Sequence, residues 1–411
     1  MLDIRRDHPT TQHLRLLDRL TLLSRVLAAA LLYLSSSYLP LFDASPRTIL
    51  APSAFPSFSS SLLRWDAFHF TAIAKDGYSY EQHWAFFPGV PLLLRVADRL
   101  PALFLDNATS AFSWLALFNA AIAIPTTRAI YHLTLIHFRS PSFALLTALL
   151  SLLPASPVTL YFAPYAEPIF TFLSYQGMLA CARTHYRRAS LYFFAAAAFR
   201  SNGVLMALYV PWSLLIDPLL LSSTLPHPSV VFCACLHALL PLLPSFIHQL
   251  HAYRTFCLAT ATTNPSRPPW CNHLIPSIYT HVQRNYWRVG FLSYWTPAQL
   301  PNIALALPLL VPLLFYSVSH ISSLINAKPG GGFRPLTTTA HAVHATVLCV
   351  TLLTNAHTQI ALRLLPALPG TYWSVSTLLI ERPRWGRAYV VWAVLWGAAS
   401  VILWATFLPP A

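Results

Sequence analysis

Catalysis by this chain would have to draw on very few acids, because the 411-residue sequence holds only twelve. They are Asp3, Asp7, Asp18, Asp43, Asp66, Asp76, Glu81, Asp98, Asp106, Glu167, Asp217 and Glu381. The densest stretch of reactive side chains spans residues 64–78, beginning Arg64-Trp65-Asp66-Ala67-Phe68-His69-Phe70 and ending Lys75-Asp76-Gly77-Tyr78. It continues through Glu81 to Ala85-Phe86-Phe87-Pro88. If residues 66–74 are helical, Asp66 and His69 share a face three residues apart. One carboxylate and one imidazole can then converge on a hydroxyl. Asp66 also stands just before the apolar part, where aspartate is a favoured helix cap. The residues alone leave base and cap both open.

Glu167 lies between Pro164 and Pro168 at the edge of an apolar run, and Arg200 and Asn202 interrupt another. Charge in such surroundings is paired or functional. Glu167 is therefore either a site residue or the partner of an arginine such as Arg200. Gln283, Arg284, Tyr286, Trp287, Tyr294 and Trp295 form an aromatic-polar cluster, and Gln359, Arg363, Tyr372 and Trp373 form another. Each reads as an interfacial belt or as a platform on which sugars stack. His237 and His344, set in apolar runs, read as satisfied bundle residues. No glycine loop that would cradle a phosphate is present, and no Ser-His-Asp spacing stands out.

The elements that must hold these groups are apolar helices. Hydrophobic residues make up 56% of the chain and charged ones 9%, against roughly a quarter charged in soluble domains. Apolar runs at 20–34, 111–135, 143–153, 229–250, 303–319, 342–353 and 389–408 approach or reach the roughly 20 residues that span a bilayer. The expected fold is an all-α, polytopic transmembrane bundle of roughly eight to eleven spans, forming a single integral membrane domain over 1–411. The 35 prolines suit broken helices packed around a cavity. Arg5, Arg6, Arg15, Arg19 and Arg25 accompany the first run. They predict a cytosolic segment over 1–19 and a retained signal-anchor helix. Residues 43–109 then form the first lumenal loop, which includes the sequon Asn107-Ala108-Thr109, a candidate glycosylation site.

Spans near 111–135, 141–162 and 169–182 follow, with basic cytosolic loops at 137–139 and 183–188 and a short lumenal turn at 163–168 between them. Residues 254–301 read as a loop or a partly re-entrant segment. The net charge of +14 sits in short loops, as orientation signals and headgroup contacts do; it does not point to nucleic acid. The six cysteines show neither zinc nor paired-disulfide spacing.

The quoted motifs resemble a known family. Trp65-Asp66, His69-Phe70, Ile73-Ala74, Gly77-Tyr78, Glu81 and Ala85-Phe86-Phe87-Pro88 are similar to the first lumenal loop of the GPI mannosyltransferase 2 family, of the GT-C class. The likeness continues through Ser156-Pro157, Phe162 and Glu167 to Phe199-Arg200-Ser201-Asn202-Gly203. It is marked over 282–295, from Val282-Gln283-Arg284-Asn285-Tyr286-Trp287 to Tyr294-Trp295, then at Gln299-Leu300-Pro301-Asn302 and His357 to Gln359 with Tyr372-Trp373. Ala166 replaces an expected small hydroxyl residue, and Arg288 an expected asparagine.

The resemblance implies an endoplasmic reticulum membrane enzyme. Its reaction would be inverting transfer of mannose from dolichyl-phosphate mannose to a GPI-precursor glycolipid, forming an α-1,6 link. Dolichyl-phosphate mannose is then a donor substrate, and no cofactor is expected; nor is a tight metal site, since the neighbouring acids lack a ligand cluster. Asp66 would be the base and His69 its orienting partner or an acceptor contact. Substrate-binding roles are implied for Trp65, Tyr78, Glu81, Phe87, Glu167, Arg200, Asn202, Gln283, Tyr286, Trp287, Gln359, Tyr372 and Trp373. Arg200 would meet the departing phosphate. Implied partners are the two lipid substrates, membrane lipid and a small accessory subunit. Another lumenal transferase using a polyprenyl-phosphate sugar is the nearest alternative, and a lipid or solute transporter the next. Transporters tend to carry internal repeats, and none is evident here.

Overall fold

The computed structural model describes residues 7–43, 58–101, 110–222, 225–258, 268–326 and 336–408. Every regular element among them is helical. Six helices are long and apolar enough to cross a membrane: Thr10–Tyr38, Ser110–Phe138, Ser201–Leu220, Pro228–Leu258, Pro297–Ile325 and Pro383–Ala405. Their outward faces carry bare apolar side chains such as Val26, Leu27, Phe232, Phe246, Phe315 and Leu395. Surfaces of that extent are covered by lipid rather than water. The chain is a multi-pass membrane protein.

Shorter helices complete the bundle, among them Pro141–Leu150, Glu167–Ala182, Tyr186–Ala197, Thr339–Thr354 and Pro369–Glu381. The eight to eleven expected spans thus compare with six helices of full length and several that are shorter. The reason is visible at the third expected span. Ser140 caps the helix that starts at Pro141, its hydroxyl accepting from the Phe143 N–H at 3.3 Å. That helix stops at Leu150, and helix resumes only at Pro157–Tyr161. Pro154 and Pro157 separate the two pieces, since a proline disfavours helix in the residue before it.

The helix ends fall into two groups. At one end Phe42 N–H donates to Thr406 O at 2.8 Å, Trp404 Nε1 to Ser61 O at 2.9 Å and Leu292 N–H to Thr354 O at 2.6 Å. At the other end lie the turns and helix starts bearing Arg139, Arg183, Arg187, Arg188, Arg382 and Arg384. There Tyr209 OH meets His341 Nδ1 at 3.3 Å and His344 Nδ1 at 2.9 Å, so His344 is a bundle residue as expected.

Residues 268–287 cap the first of these ends. Ser277 accepts from Thr280 N–H at 3.3 Å and starts the helix Ile278–Trp287, which buries Ile278 and Val282 against Trp84 and Trp270. The cap holds a disulfide, Cys257–Cys271, with Cα atoms 5.6 Å apart. This corrects the expectation that none of the cysteines is paired. The two are 14 residues apart in sequence. A turn at Pro269–Asn272, packed on the Trp84 cluster, brings them together, and spacing alone does not encode that turn.

Candidate active site

Asp66 opens the helix Asp66–Asp76, and its placement begins one residue earlier. Trp65 sits at φ 41, a left-handed conformation unusual for a bulky residue. Such a conformation costs on the order of 1–3 kcal/mol and persists only when its surroundings enforce it. They do so here: the Trp65 ring packs 5.1 Å from both Trp404 and Phe407. Arg64, 3% exposed, donates to the carbonyls of Ser60, Leu63, Trp404 and Ala405 at 2.8–3.3 Å. Burial lowers its pKa to about 10. No hydrogen bond runs from the Asp66 carboxylate to its own helix, so the capping reading is set aside. Oδ2 instead accepts from Arg363 Nη2 at 2.8 Å.

Arg363 joins both acids of the site. Its Nε donates to Glu167 Oε1 at 2.6 Å, and its guanidinium lies over the Tyr165 ring, 4.7 Å from the centroid. Arg200 Nη1 meets the same Glu167 oxygen at 2.6 Å. Glu167 is 2% exposed, and its Oε2 has no hydrogen-bond partner among the described residues. Burial alone would raise its pKa, but Arg200 and then Arg363 outweigh that and hold the carboxyl below its ordinary range. Arg363 is likewise held above its usual range: burial would lower it, but Glu167 and Asp66 prevail. Arg200 is presented by the tight turn that follows it. A Cβ on Gly203 would collide with the Ala197 backbone, so only glycine allows this approach.

The four charged groups line a cavity of about 940 Å3. Of the residues singled out in the sequence, Trp65, Asp66, Phe87, Glu167, Arg200, Asn202, Gln283, Trp287 and Gln359 border it. Arg284 borders it too, with no carboxylate in ion-pair distance among the described residues. His357 Nε2 donates to Trp287 O at 2.8 Å and fastens the cap to the segment bearing Arg363.

The remaining residues lie elsewhere. His69 stacks on Phe86, ring centroids 4.7 Å apart, and Phe86 rather than His69 faces the cavity. No hydrogen bond joins His69 to Asp66, so their shared helical face does not produce the expected convergence. Burial lowers the His69 pKa, with Asp66 opposing, which keeps the ring neutral at pH 7. Tyr78 donates to Phe86 O at 2.8 Å beneath the cap. Glu81 accepts from Trp270 Nε1 at 3.0 Å and Tyr286 OH at 3.2 Å, so Glu81 and Tyr286 fasten the cap outside the cavity. Tyr372 and Trp373 are buried in the bundle, and Trp373 Nε1 donates to Thr134 Oγ1 at 2.8 Å. Asn107 lies outside the described residues.

Two residues are central to this geometry in ways the sequence does not give. Tyr165 is not among the residues singled out there, and Arg363 figures only as part of an aromatic-polar cluster, not as the partner of Asp66 and Glu167. The available signal for Arg363 was the one used for Glu167: a lone charge between apolar residues, here Leu362 and Leu364.

Fold and site together define a class: a multi-pass membrane protein with a charged, partly open cavity at one end of its bundle. The chain belongs to the family described as Mannosyltransferase (PIG-V), whose model matches residues 14–411, and is accordingly a glycosyltransferase. It is 32% identical to GPI mannosyltransferase 2 of Cryptococcus neoformans var. neoformans serotype D (strain B-3501A), over 95% of this chain and 96% of that protein. It is 31% identical to GPI mannosyltransferase 2 of Yarrowia lipolytica over 87% of this chain and 90% of that one. The rat protein named GPI alpha-1,6-mannosyltransferase 2 is 30% identical, with coverages of 78% and 74%.

Proposed function

We propose that this chain adds an α-1,6-linked mannose to a GPI-anchor precursor, taking it from dolichyl-phosphate mannose at the lumenal face of the endoplasmic reticulum. The relatives' names support the acceptor and linkage. The basic turns at the end opposite the cavity support the orientation, since cytosolic loops carry the excess of Lys and Arg. A disulfide in the cap agrees, because disulfides persist in oxidising compartments.

The observation that carries the reading is Asp66. Its side chain is 31% exposed, it borders the cavity, and Oδ2 is held by Arg363 while no hydrogen bond reaches Oδ1 among the described residues. In the proposed step Oδ1 takes the proton of the acceptor hydroxyl. The hydroxyl oxygen attacks the anomeric carbon from the face opposite the phosphate. The carbon–oxygen bond to phosphate breaks with its electron pair, giving dolichyl phosphate and turning a β-linked donor into an α-linked product. Negative charge grows on the leaving phosphate, which preorganised cations stabilise. Arg200 and Arg284 border the cavity and supply that charge. Glu167 acts by holding Arg200 and Arg363 in place.

The test is transfer from dolichyl-phosphate mannose to a one-mannose GPI precursor by purified wild type and Asp66→Asn. A base of this kind contributes about 10²–10⁴-fold, so the variant should lose at least a hundredfold. Turnover within twofold of wild type would overturn the base. Wild type inactive on this acceptor but active on another lipid-linked mannoside would overturn the acceptor.

A further inference from the structure

Four elements distant in sequence meet at one phenol. Tyr165 is 1% exposed. Its hydroxyl accepts the backbone N–H of Asp66 at 3.0 Å and donates to the Arg64 carbonyl at 3.2 Å, so it spans the strained Trp65 peptide from both sides. Its ring carries the Arg363 guanidinium at 4.7 Å and packs edge-on against Phe70 and Trp404, with centroids 6.1 and 5.4 Å away. The hydroxyl thus fixes where Asp66 begins its helix, and the ring fixes the cation that holds the Asp66 carboxylate. No other described residue touches both the Asp66 backbone and Arg363 in this way.

We infer that Tyr165 is a positioning residue for the transfer reaction, setting Asp66 and Arg363 relative to each other without touching substrate. The inference rests on Asp66 being the base. Tyr165 borders the cavity, but its hydroxyl is committed to the backbone of Asp66 and Arg64. Its loss therefore acts through the carboxylate, and a carboxylate displaced by about 1 Å can cost a hundredfold in rate. Loss of the hydroxyl should therefore appear in kcat and leave KM nearly unchanged. The effect should also pass through Asp66 alone, since residues acting as a unit are non-additive.

The experiment is a double-mutant cycle of Tyr165→Phe and Asp66→Asn in the transfer assay, with KM measured for both substrates. Tyr165→Phe should lower kcat by about 10–100-fold with each KM within twofold of wild type. In the Asp66→Asn background it should cost less than twofold more. Full kcat in Tyr165→Phe beside an inactive Asp66→Asn would overturn the inference and leave the base standing. So would an equal further loss in both backgrounds, because a general packing defect behaves that way. An active Asp66→Asn would remove the base, and this inference with it, a failure read from that single variant. If Tyr165→Phe does not fold, replacing Tyr165 with 3,5-difluorotyrosine weakens the hydroxyl as an acceptor at nearly constant shape. A smaller kcat loss in the same direction, of about a few fold, is then expected, and an unchanged kcat would overturn the inference.

Discussion

Glu167 and Glu81 both tie distant segments of the chain together, but in different surroundings. Glu167, 2% exposed, is met by Arg200 and Arg363. Glu81, 21% exposed, is met by the indole of Trp270, the phenol of Tyr286 and, at 3.5 Å, the imidazole of His281. Desolvation explains the contrast. A buried carboxylate loses hydration that only full opposite charges replace. A carboxylate still wetted at the edge of a cap is satisfied by neutral donors worth about 1 kcal/mol each. One acid is the electrostatic centre of the site, and the other fastens a lid of chain over its flank.

The largest effect expected from breaking this contrast is at Glu167. Glu167→Ala leaves Arg200 without its carboxylate and Arg363 with only Asp66. A loss of about 3–5 kcal/mol in denaturant unfolding is expected, and less than about 1 kcal/mol would show that the arginines find other partners. The sign of its pH dependence follows from a carboxyl held below its ordinary value of 4.5. Its stabilising share is complete above that value and disappears as pH falls through the depressed native value. The stability gap between wild type and Glu167→Gln should therefore be constant near neutrality and close only in acid. A gap that widens on acidification would reverse the assignment.

Next in size is the cap's covalent tie. Cys257→Ser opens a loop of about 15 residues and should cost about 3 kcal/mol. It should leave the Glu167 acid profile untouched, and a shift in that profile would mean that cap and charge cluster are one unit. The smallest effect belongs to Glu81→Gln, which keeps an acceptor for one of Trp270 and Tyr286, the two donating to different carboxylate oxygens. About 1 kcal/mol or less is expected, and a larger loss would make Glu81 a second charge centre.

Much of the fold was legible because a bilayer imposes it. Long apolar runs with few charges leave little besides a helical bundle, and the rarity of acids narrowed the site to Asp66, Asp76, Glu81 and Glu167, of which Asp66 and Glu167 border the cavity. What escaped was pairing across the chain. Arg363 meets Glu167 and Asp66 across separations of 196 and 297 residues, and no local pattern records that choice. His69 shows the limit of periodicity: three residues from Asp66 is the right spacing, but the Phe86 ring lies between His69 and the cavity. Tyr372 and Trp373 illustrate a different ambiguity, since an aromatic pair at a helix start reads alike whether it faces a sugar or the bundle interior.

The clasp between Arg64 and the carbonyls of Trp404 and Ala405 spans 340 and 341 residues. While the ribosome feeds helices into the membrane in order, Asp66 is followed by Tyr165 and only much later by Arg363 and the carbonyls of Trp404 and Ala405. For most of synthesis the nascent protein carries both its proposed base and Glu167 without Arg363. Only the final helix closes the frame. The placement of Asp66 therefore depends on contacts that form only when a helix made about 340 residues later has docked.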